Sequence, residues 1–168
     1  MSSTVPVNHT WRDPAEDIPS LRIFYRAGHP TRFGKLYNRF AAWLSGLGVT
    51  PPLLLTLQVK GRMSGRLHSN VLVPATYGGQ TYLVSMLGDR SAWVQNVRAA
   101  DGEAFIKRGA ARPVQLTEIP TDERAPILKA YCEVATSGRH HFPVAHTAPV
   151  SEFETISAHY PVFRIDYR

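Results

Sequence analysis

Residues 53–86 read LLLTLQVKGRMSGRLHSNVLVPATYGGQTYLVSM, and this stretch decides the fold. It contains three runs of strand-forming residues, at 53–59, 70–77 and 80–86. A glycine-punctuated loop with basic side chains, residues 60–66, separates the first two runs, and Gly78-Gly79 separates the last two. A glycine pair between two strand-like runs predicts a tight hairpin. The stretch therefore predicts consecutive antiparallel strands.

The sequence on the C-terminal side of this stretch continues the pattern. It predicts a helix at 92–99, strands at 103–107 and 112–119, a helix from 121 to about 135, a histidine-rich loop at 137–149 and a last strand at 160–167. Few of these elements form strand–helix–strand units, which argues against a doubly wound parallel sheet. The pattern favours a mainly β protein with flanking helices (α+β), built as an antiparallel barrel with the helices outside.

The N-terminal part predicts an arm and a helix. Residues 1–20 are polar and contain proline, which predicts a flexible arm, and residues 21–168 form one domain. Within residues 32–47, Phe33, Leu36, Phe40 and Leu44 recur at three- and four-residue steps, which predicts an amphipathic helix. Its apolar face either packs on the protein's own core or lies on a membrane surface.

Composition sets the broad class of protein. The chain has 168 residues, 43% of them hydrophobic, which is typical of a globular domain. The single cysteine, Cys132, allows no internal disulfide and fits a reducing cytosol. The chain begins without a signal-peptide pattern, and Pro51-Pro52 interrupt its longest uncharged run, so we expect no membrane-spanning segment. We expect a cytoplasmic protein, with membrane association through residues 32–47 as the alternative.

The loop at 60–66 is the most informative candidate site. The formal net charge of +6 favours an anionic partner, and this loop concentrates Lys60, Arg62 and Arg66 around two glycines. Glycines let backbone N–H groups approach an anion, and arginine can contact phosphate through two donors. The loop lacks the Gly-Lys-Ser/Thr ending of a P-loop and does not begin a helix as a Rossmann fingerprint does. A solvated basic hairpin loop is the alternative interpretation.

An ordered series of motifs extends beyond this loop. The series is an apolar strand, Gly61-Arg62-Met63-Ser64-Gly65, a strand from Asn70, the Gly78-Gly79 hairpin, Ser85 at a strand end, Trp93 and Asn96 in the helix Trp-Val-Gln-Asn-Val, and the helix start Thr121-Asp122-Glu123-Arg124. Together these motifs resemble the deazaflavin-dependent nitroreductase and quinone reductase family of actinobacteria. The resemblance covers about residues 53–130, with a weaker similarity at 162–168.

This resemblance implies a split β-barrel related to FMN-binding, pyridoxamine-phosphate-oxidase-like proteins, and the cofactor F420, a deazaflavin with a phosphate and an oligoglutamate tail. The implied phosphate and tail site consists of Arg62, Met63, Ser64, Gly65 and Arg66, and Lys60 and Arg90 are further candidate cations for it. Ser85 and Met86 are implied to face the ring, Trp93 to brace the cofactor or the strand beneath it, and Asn96 to sit behind it; Asn70 is a further candidate for cofactor binding. The implied reaction is hydride transfer from the reduced deazaflavin to a quinone, a nitro compound or an activated C=C bond.

The sequence departs from the family pattern at several of these positions. Lysine is common in the family where Met63 and Met86 stand, and arginine is common where His68 stands. The family's tyrosine-rich substrate segment is replaced by residues 137–143, SGRHHFP. These changes leave three alternatives open: a different substrate, a cofactor bound in another way, or a site reassigned to other chemistry.

The candidate catalytic residues are Ser85, His140 and His141. Ser85 could donate a hydrogen bond near the ring, and either histidine could give a proton to the reduced substrate. The adjacent histidines have no carboxylate or thiolate between them, so we expect no metal site. A Ser-His-Asp hydrolase is disfavoured because no G-x-S-x-G motif is present.

Two other functions remain open from the sequence. The same barrel could serve a specialised-metabolite reaction with FMN, haem or no cofactor, which Met63 and Met86 favour. A non-enzymatic module for a nucleic acid or membrane surface is the other, favoured by net charge, although no aromatic residues are interleaved with the basic loop as single-strand binding requires. We expect a small-molecule substrate, no nucleic acid partner, and monomers or homodimers.

Overall fold

The computed structural model describes residues 25–26, 29–30, 54–136 and 138–168. The predicted arm at 1–20 and the predicted amphipathic helix at 32–47 lie outside the described residues. The membrane contact predicted for that helix therefore stays a prediction. None of the helices in the described part of the chain is both long and apolar enough to cross a membrane.

Seven of the described strands form one antiparallel sheet. The described strands are β1 (Tyr25–Arg26), β2 (His29–Pro30), β3 (Leu55–Lys60), β4 (Leu67–Leu72), β5 (Pro74–Tyr77), β6 (Gln80–Val84), β7 (Glu103–Arg108), β8 (Ala110–Glu118) and β9 (Val162–Tyr167). The large sheet has the order β4-β3-β7-β8-β9-β6-β5, and β1 and β2 pair separately. The antiparallel architecture predicted from the sequence is confirmed.

The order of the strands requires the sheet to close on itself. Its two edge strands, β4 and β5, are consecutive in the chain and are separated by Val73 alone. One bent strand therefore pairs with β3 through its first half and with β6 through its second half. Because both edges belong to the same segment, the sheet must curl round into a barrel. The predicted split β-barrel is confirmed, but the prediction of one uninterrupted strand at 70–77 was wrong, because the chain bends at Val73.

The barrel interior is filled by alternate residues of its strands. In β3, Leu55, Leu57 and Val59 are at most 1% exposed, whereas Gln58 and Lys60 face outward. Such alternation is expected where one face of a sheet meets a core. Within the residues that the structure describes, three α-helices flank the barrel: α1 (Ala92–Ala99), α2 (Ala125–Val134) and α3 (Val150–Glu154). Helix α1 closes the interior core, and α2 belongs to a second core beside β5 and β6.

The predicted second helix begins later than expected. Residues Thr121–Glu123 form a 3-10 turn, and α2 starts only at Ala125. Pro126 occupies the first turn of α2, where a missing backbone N–H costs no helical hydrogen bond. The predicted histidine-rich loop contains a short 3-10 segment, Gly138–His141.

A chain of ion pairs joins the flanking segments to the barrel. Arg98 of α1 lies 2.7 Å from Asp89 and 2.6 Å from Glu118 of β8. Glu118 also contacts Arg124, at 3.1 Å, just before α2. Hydrogen bonding with Glu118 raises the pKa of Arg98 further above its usual range, although burial opposes this. The network fixes the loop around Asp89 relative to the sheet.

Candidate functional site

The basic loop at 60–66 is closed by its own hydrogen bonds. Gly61 N donates to Arg66 O at 2.8 Å, and Gly65 N donates to Gly61 O at 2.8 Å. Gly65 has φ +66, a conformation that favours glycine. Ser64 Oγ accepts from Arg66 N at 3.3 Å and lies 3.0 Å from His68 Nε2. The loop is therefore organised before any ligand arrives.

A second anchor ties the loop to α1. Asn96, only 6% exposed, accepts two hydrogen bonds at Oδ1, from Arg62 N at 3.2 Å and Arg62 Nη1 at 3.0 Å. Because this partner is a neutral amide, the guanidinium keeps its full charge. Asn96 thus holds an arginine of the loop in place.

The loop carries cations without acidic partners. Within the described residues, Lys60, Arg62 and Arg66 form no ion pair. Met63 is 89% exposed and projects away from the core. Fixed positive charges with unused donors on a preorganised loop are suited to phosphate or carboxylate groups. The loop also borders a cavity of about 640 Å³ on the outer face of the sheet.

The strand-end residue Ser85 is enclosed. It is 1% exposed, donates to Gly88 O at 2.8 Å and lies 2.8 Å from Ser91 Oγ. Ser91 stands at the N-cap of α1, but its side chain makes no capping bond. The placement of Ser85 argues against direct contact with a substrate and favours a role in holding the loop at 87–91.

The next residue, Met86, belongs to a small cluster. Tyr131 Oη of α2 lies 3.7 Å from Met86 Sδ. A Cβ built on Gly138 would come within 2.7 Å of Tyr131 Oη and 3.3 Å of Met86 Sδ. Glycine is therefore required for the histidine-rich segment to approach this close. We call Met86, Tyr131 and Gly138 the strand-end cluster.

The two candidate histidines differ in access to solvent. His141 is 1% exposed and lies in the core, where its backbone oxygen accepts from Tyr160 Oη at 2.8 Å. His140 is exposed and follows Gly138 by two positions. Direct proton donation by His141 is thus disfavoured by its burial, whereas His140 remains accessible. Among the described residues, no group of histidine, cysteine or acidic side chains is arranged to hold a metal ion.

The other residues predicted to bind the cofactor lie around the basic loop and the strand-end cluster. Trp93 is 7% exposed and packs edge-on against Phe163, with the ring centres 5.5 Å apart, so it braces the last strand. Asn70 pairs with Leu57 across β4 and β3, and Arg90 is exposed in the 3-10 turn Gly88–Arg90. Asn96 follows Ser91 by five positions, a rise of about 7.5 Å along the helix axis. The basic loop and the segment at 85–91 are thus both anchored on one short helix.

A family profile, that of the F420H(2)-dependent quinone reductases, matches residues 33–142. This match covers well over half of the chain. The chain belongs to this family. Membership makes the protein an enzyme, an oxidoreductase that uses coenzyme F420.

Solved structures show the same type of fold at low sequence identity. A protein of unknown function from Agrobacterium tumefaciens is 9% identical, with 75% of this chain and 53% of that chain covered and a TM-score of 0.50. An F420-H2 dependent reductase is 19% identical, with 68% and 95% covered and a TM-score of 0.47. A heme binding protein from Mycobacterium smegmatis is 13% identical, with 82% and 51% covered and a TM-score of 0.47. No curated protein sequence matches the chain.

The sequence did not predict the part played by Tyr131 and Gly138. Tyr131 lies in a helix whose apolar spacing predicts only core packing. The one available signal was Gly138, a glycine in a polar loop that follows this helix directly. The contact itself depends on how the loop folds back, which spacing along the chain does not encode.

Proposed function

We propose that this family member transfers hydride from reduced F420 to a quinone, a nitro compound or an activated C=C bond. The observation that carries the proposal is the Arg62–Asn96 anchor, which fixes an unpaired cation on a loop that is already closed. The cofactor's phosphate and glutamate carboxylates need such a site. The residues present therefore fit the cofactor's anionic part.

Lys60, Arg62 and Arg66 would hold the phosphate and tail, with Ser64 as a hydroxyl partner. The loss of a cation at Met63 is tolerable in this arrangement because three other cations remain on the loop. When bound, F420 supplies two electrons and a proton as hydride. The role of the chain is to fix the position of the donor and to exclude water from the reacting atoms.

The strand-end cluster is the proposed neighbour of the ring and the acceptor. Half-buried Met86 offers an apolar surface, buried Tyr131 contacts Met86 through its hydroxyl, and His140 offers an exposed imidazole two residues beyond Gly138. We assign proton donation to His140, because it is accessible and histidine exchanges protons near neutral pH. Ser85 acts as a positioning residue through Gly88 and Ser91.

A thermal-shift titration with F420 tests the cofactor site. Because a ligand that binds only the folded state raises its stability, wild type should melt at a higher temperature as F420 increases. Arg62→Ala should raise the F420 dissociation constant about tenfold, the loss of one charge-assisted contact. Arg108→Ala is the matched control, since that exposed arginine lies at the far end of β7 from the loop.

An absence of any shift in wild type at saturating F420 would contradict the tail site. The acceptor is tested separately, by following oxidation of reduced F420 with menadione, a nitroimidazole and an enone. His140→Gln should lower turnover with little change in F420 affinity. Equal turnover for wild type and His140→Gln would remove His140 from the proposal.

A further inference from the structure

The cavity beside the basic loop lies apart from the strand-end cluster. Its volume is about 640 Å³, and it opens on the outer face of β3, β7 and β8, near the C-terminal end of α1. Neither Ser85, Met86 nor Tyr131 contributes to its lining. A volume of this size lies within the range of small-molecule sites. The cavity is therefore a second candidate site on this barrel.

The floor of the cavity is apolar. Strand register places Gln58, Phe105 and Pro113 side by side across β3, β7 and β8. Phe105 is 40% exposed, although Ala104 and Ile106 on either side of it are buried. Leu67, 60% exposed, lies opposite Lys60 on β4. Phe105 is paired with Pro113, and Leu67 adds an exposed apolar side chain to the lining on β4, so the cavity suits a ligand with an apolar body.

The charged side chains that line the cavity indicate the sign of the charge on its ligand. Three cationic side chains line the cavity, Lys60, Arg62 and Arg168, against two acidic ones, Asp101 and Glu103. Glu103 is already paired with Arg168 at 3.1 Å. Lys60 and Arg62 have no acidic partner within the described residues, so the loop end of the cavity is the cationic end. A net excess of one positive charge matches a single negative group.

We propose that this cavity binds an amphipathic monoanion, a molecule with an aromatic or branched apolar body and one carboxylate or sulfonate. The anionic group lies against Lys60 and Arg62, and the apolar body covers Phe105 and Leu67. The two hydrogen bonds to Asn96 hold Arg62 in place beforehand, which lowers the ordering cost of binding. The site shares Lys60 and Arg62 with the proposed tail site, so its ligand and the F420 tail exclude each other there, and such binding goes beyond the proposed reaction.

Two dyes that differ by one sulfonate test the proposal. Wild type without F420 is titrated with 8-anilinonaphthalene-1-sulfonate and with the neutral N-phenyl-1-naphthylamine. The sulfonate dye should bind about tenfold more tightly, with one site per chain. Lys60→Gln should weaken the sulfonate dye alone, whereas Phe105→Ser and Leu67→Ser should weaken both dyes. Tyr77→Ser, at an exposed aromatic on β5, is the control and should change neither.

Equal affinity for the two dyes would overturn the proposal, as would unchanged binding of both dyes to Phe105→Ser and Leu67→Ser. Two floor variants are used, so that misfolding of one, seen by circular dichroism, leaves the other as the test. The F420 thermal shift is measured on the same variants and should persist in Phe105→Ser. In wild type, equal affinity for the two dyes with an intact F420 shift overturns only the cavity proposal, and an absent F420 shift with a preference for the sulfonate dye overturns only the cofactor site.

Discussion

At the scale of single residues, Gly138 allows a close contact because it has no side chain. The space that a side chain would occupy there is already taken by the Tyr131 hydroxyl, by Ala135 and by Met86. A methyl group would have to displace at least one of them, and all three belong to or border the strand-end cluster. The sequence marks this position only as a glycine in a loop, so its role had to come from the three-dimensional contact.

Gly138→Ala should lower the free energy of unfolding by about 1–3 kcal/mol, because it forces overpacking at a buried site. Tyr131→Phe removes the oxygen that the new methyl group meets most closely. The double variant should therefore be less destabilised than the sum of the two single changes. Urea unfolding of the four proteins measures this coupling, and simple additivity would contradict the clash.

Cys132 is the single cysteine of the chain. It is fully buried, and burial raises the pKa of its thiol to about 12. Since the thiolate is the reactive form, we expect native protein to resist Ellman's reagent at pH 8, whereas urea-unfolded protein reacts at once. Rapid labelling of the native protein at a rate independent of unfolding would show that the thiol is accessible.

At the scale of elements, α1 is the support shared by both halves of the candidate site. Ser91 at its start contacts Ser85, and Asn96 in its middle holds Arg62. The sequence predicted α1, the basic loop and the three strands at 53–86. It did not predict the anchor, because residues 62 and 96 are brought together only by the pairing of distant strands.

Two substitutions of Asn96 separate the geometry of the anchor from its charge. Asn96→Ala removes both hydrogen bonds to Arg62 and should lower the unfolding free energy by about 1–3 kcal/mol. Asn96→Asp keeps an acceptor but neutralises Arg62, so it should retain more stability than the alanine variant. Thermal melts measure the stability of the two variants, and F420 titrations measure their affinity for the cofactor. We expect both variants to bind F420 more weakly than wild type. Unchanged F420 affinity in both would show that the anchor does not serve the cofactor.

At the scale of the whole molecule, Arg124 connects three parts of the fold. It is 7% exposed, donates to Ile119 O at 2.8 Å and to Ser157 O at 3.4 Å, and pairs with Glu118. The sequence indicated Arg124 only as part of a helix start. Its burial follows from the C-terminal segment folding back over the barrel.

Arg124→Met should lower the unfolding free energy by about 2–4 kcal/mol, because it leaves buried carbonyl oxygens without their donor. Arg112→Met, at an exposed position of β8, is the matched control and should change stability by at most about 0.5 kcal/mol. Denaturant unfolding of both variants provides the comparison. Similar losses for the two would mean that the buried arginine contributes no more than a surface one.

The bend at Val73 has a consequence for how the barrel fails. Because one segment supplies both sheet edges, detaching that segment exposes unpaired backbone on β3 and β6 at the same moment. Each bare margin then presents the backbone groups that the matching half-strand of a neighbouring copy can pair with. Strand exchange between copies is thus the misassembly route that the bent β4–β5 segment favours.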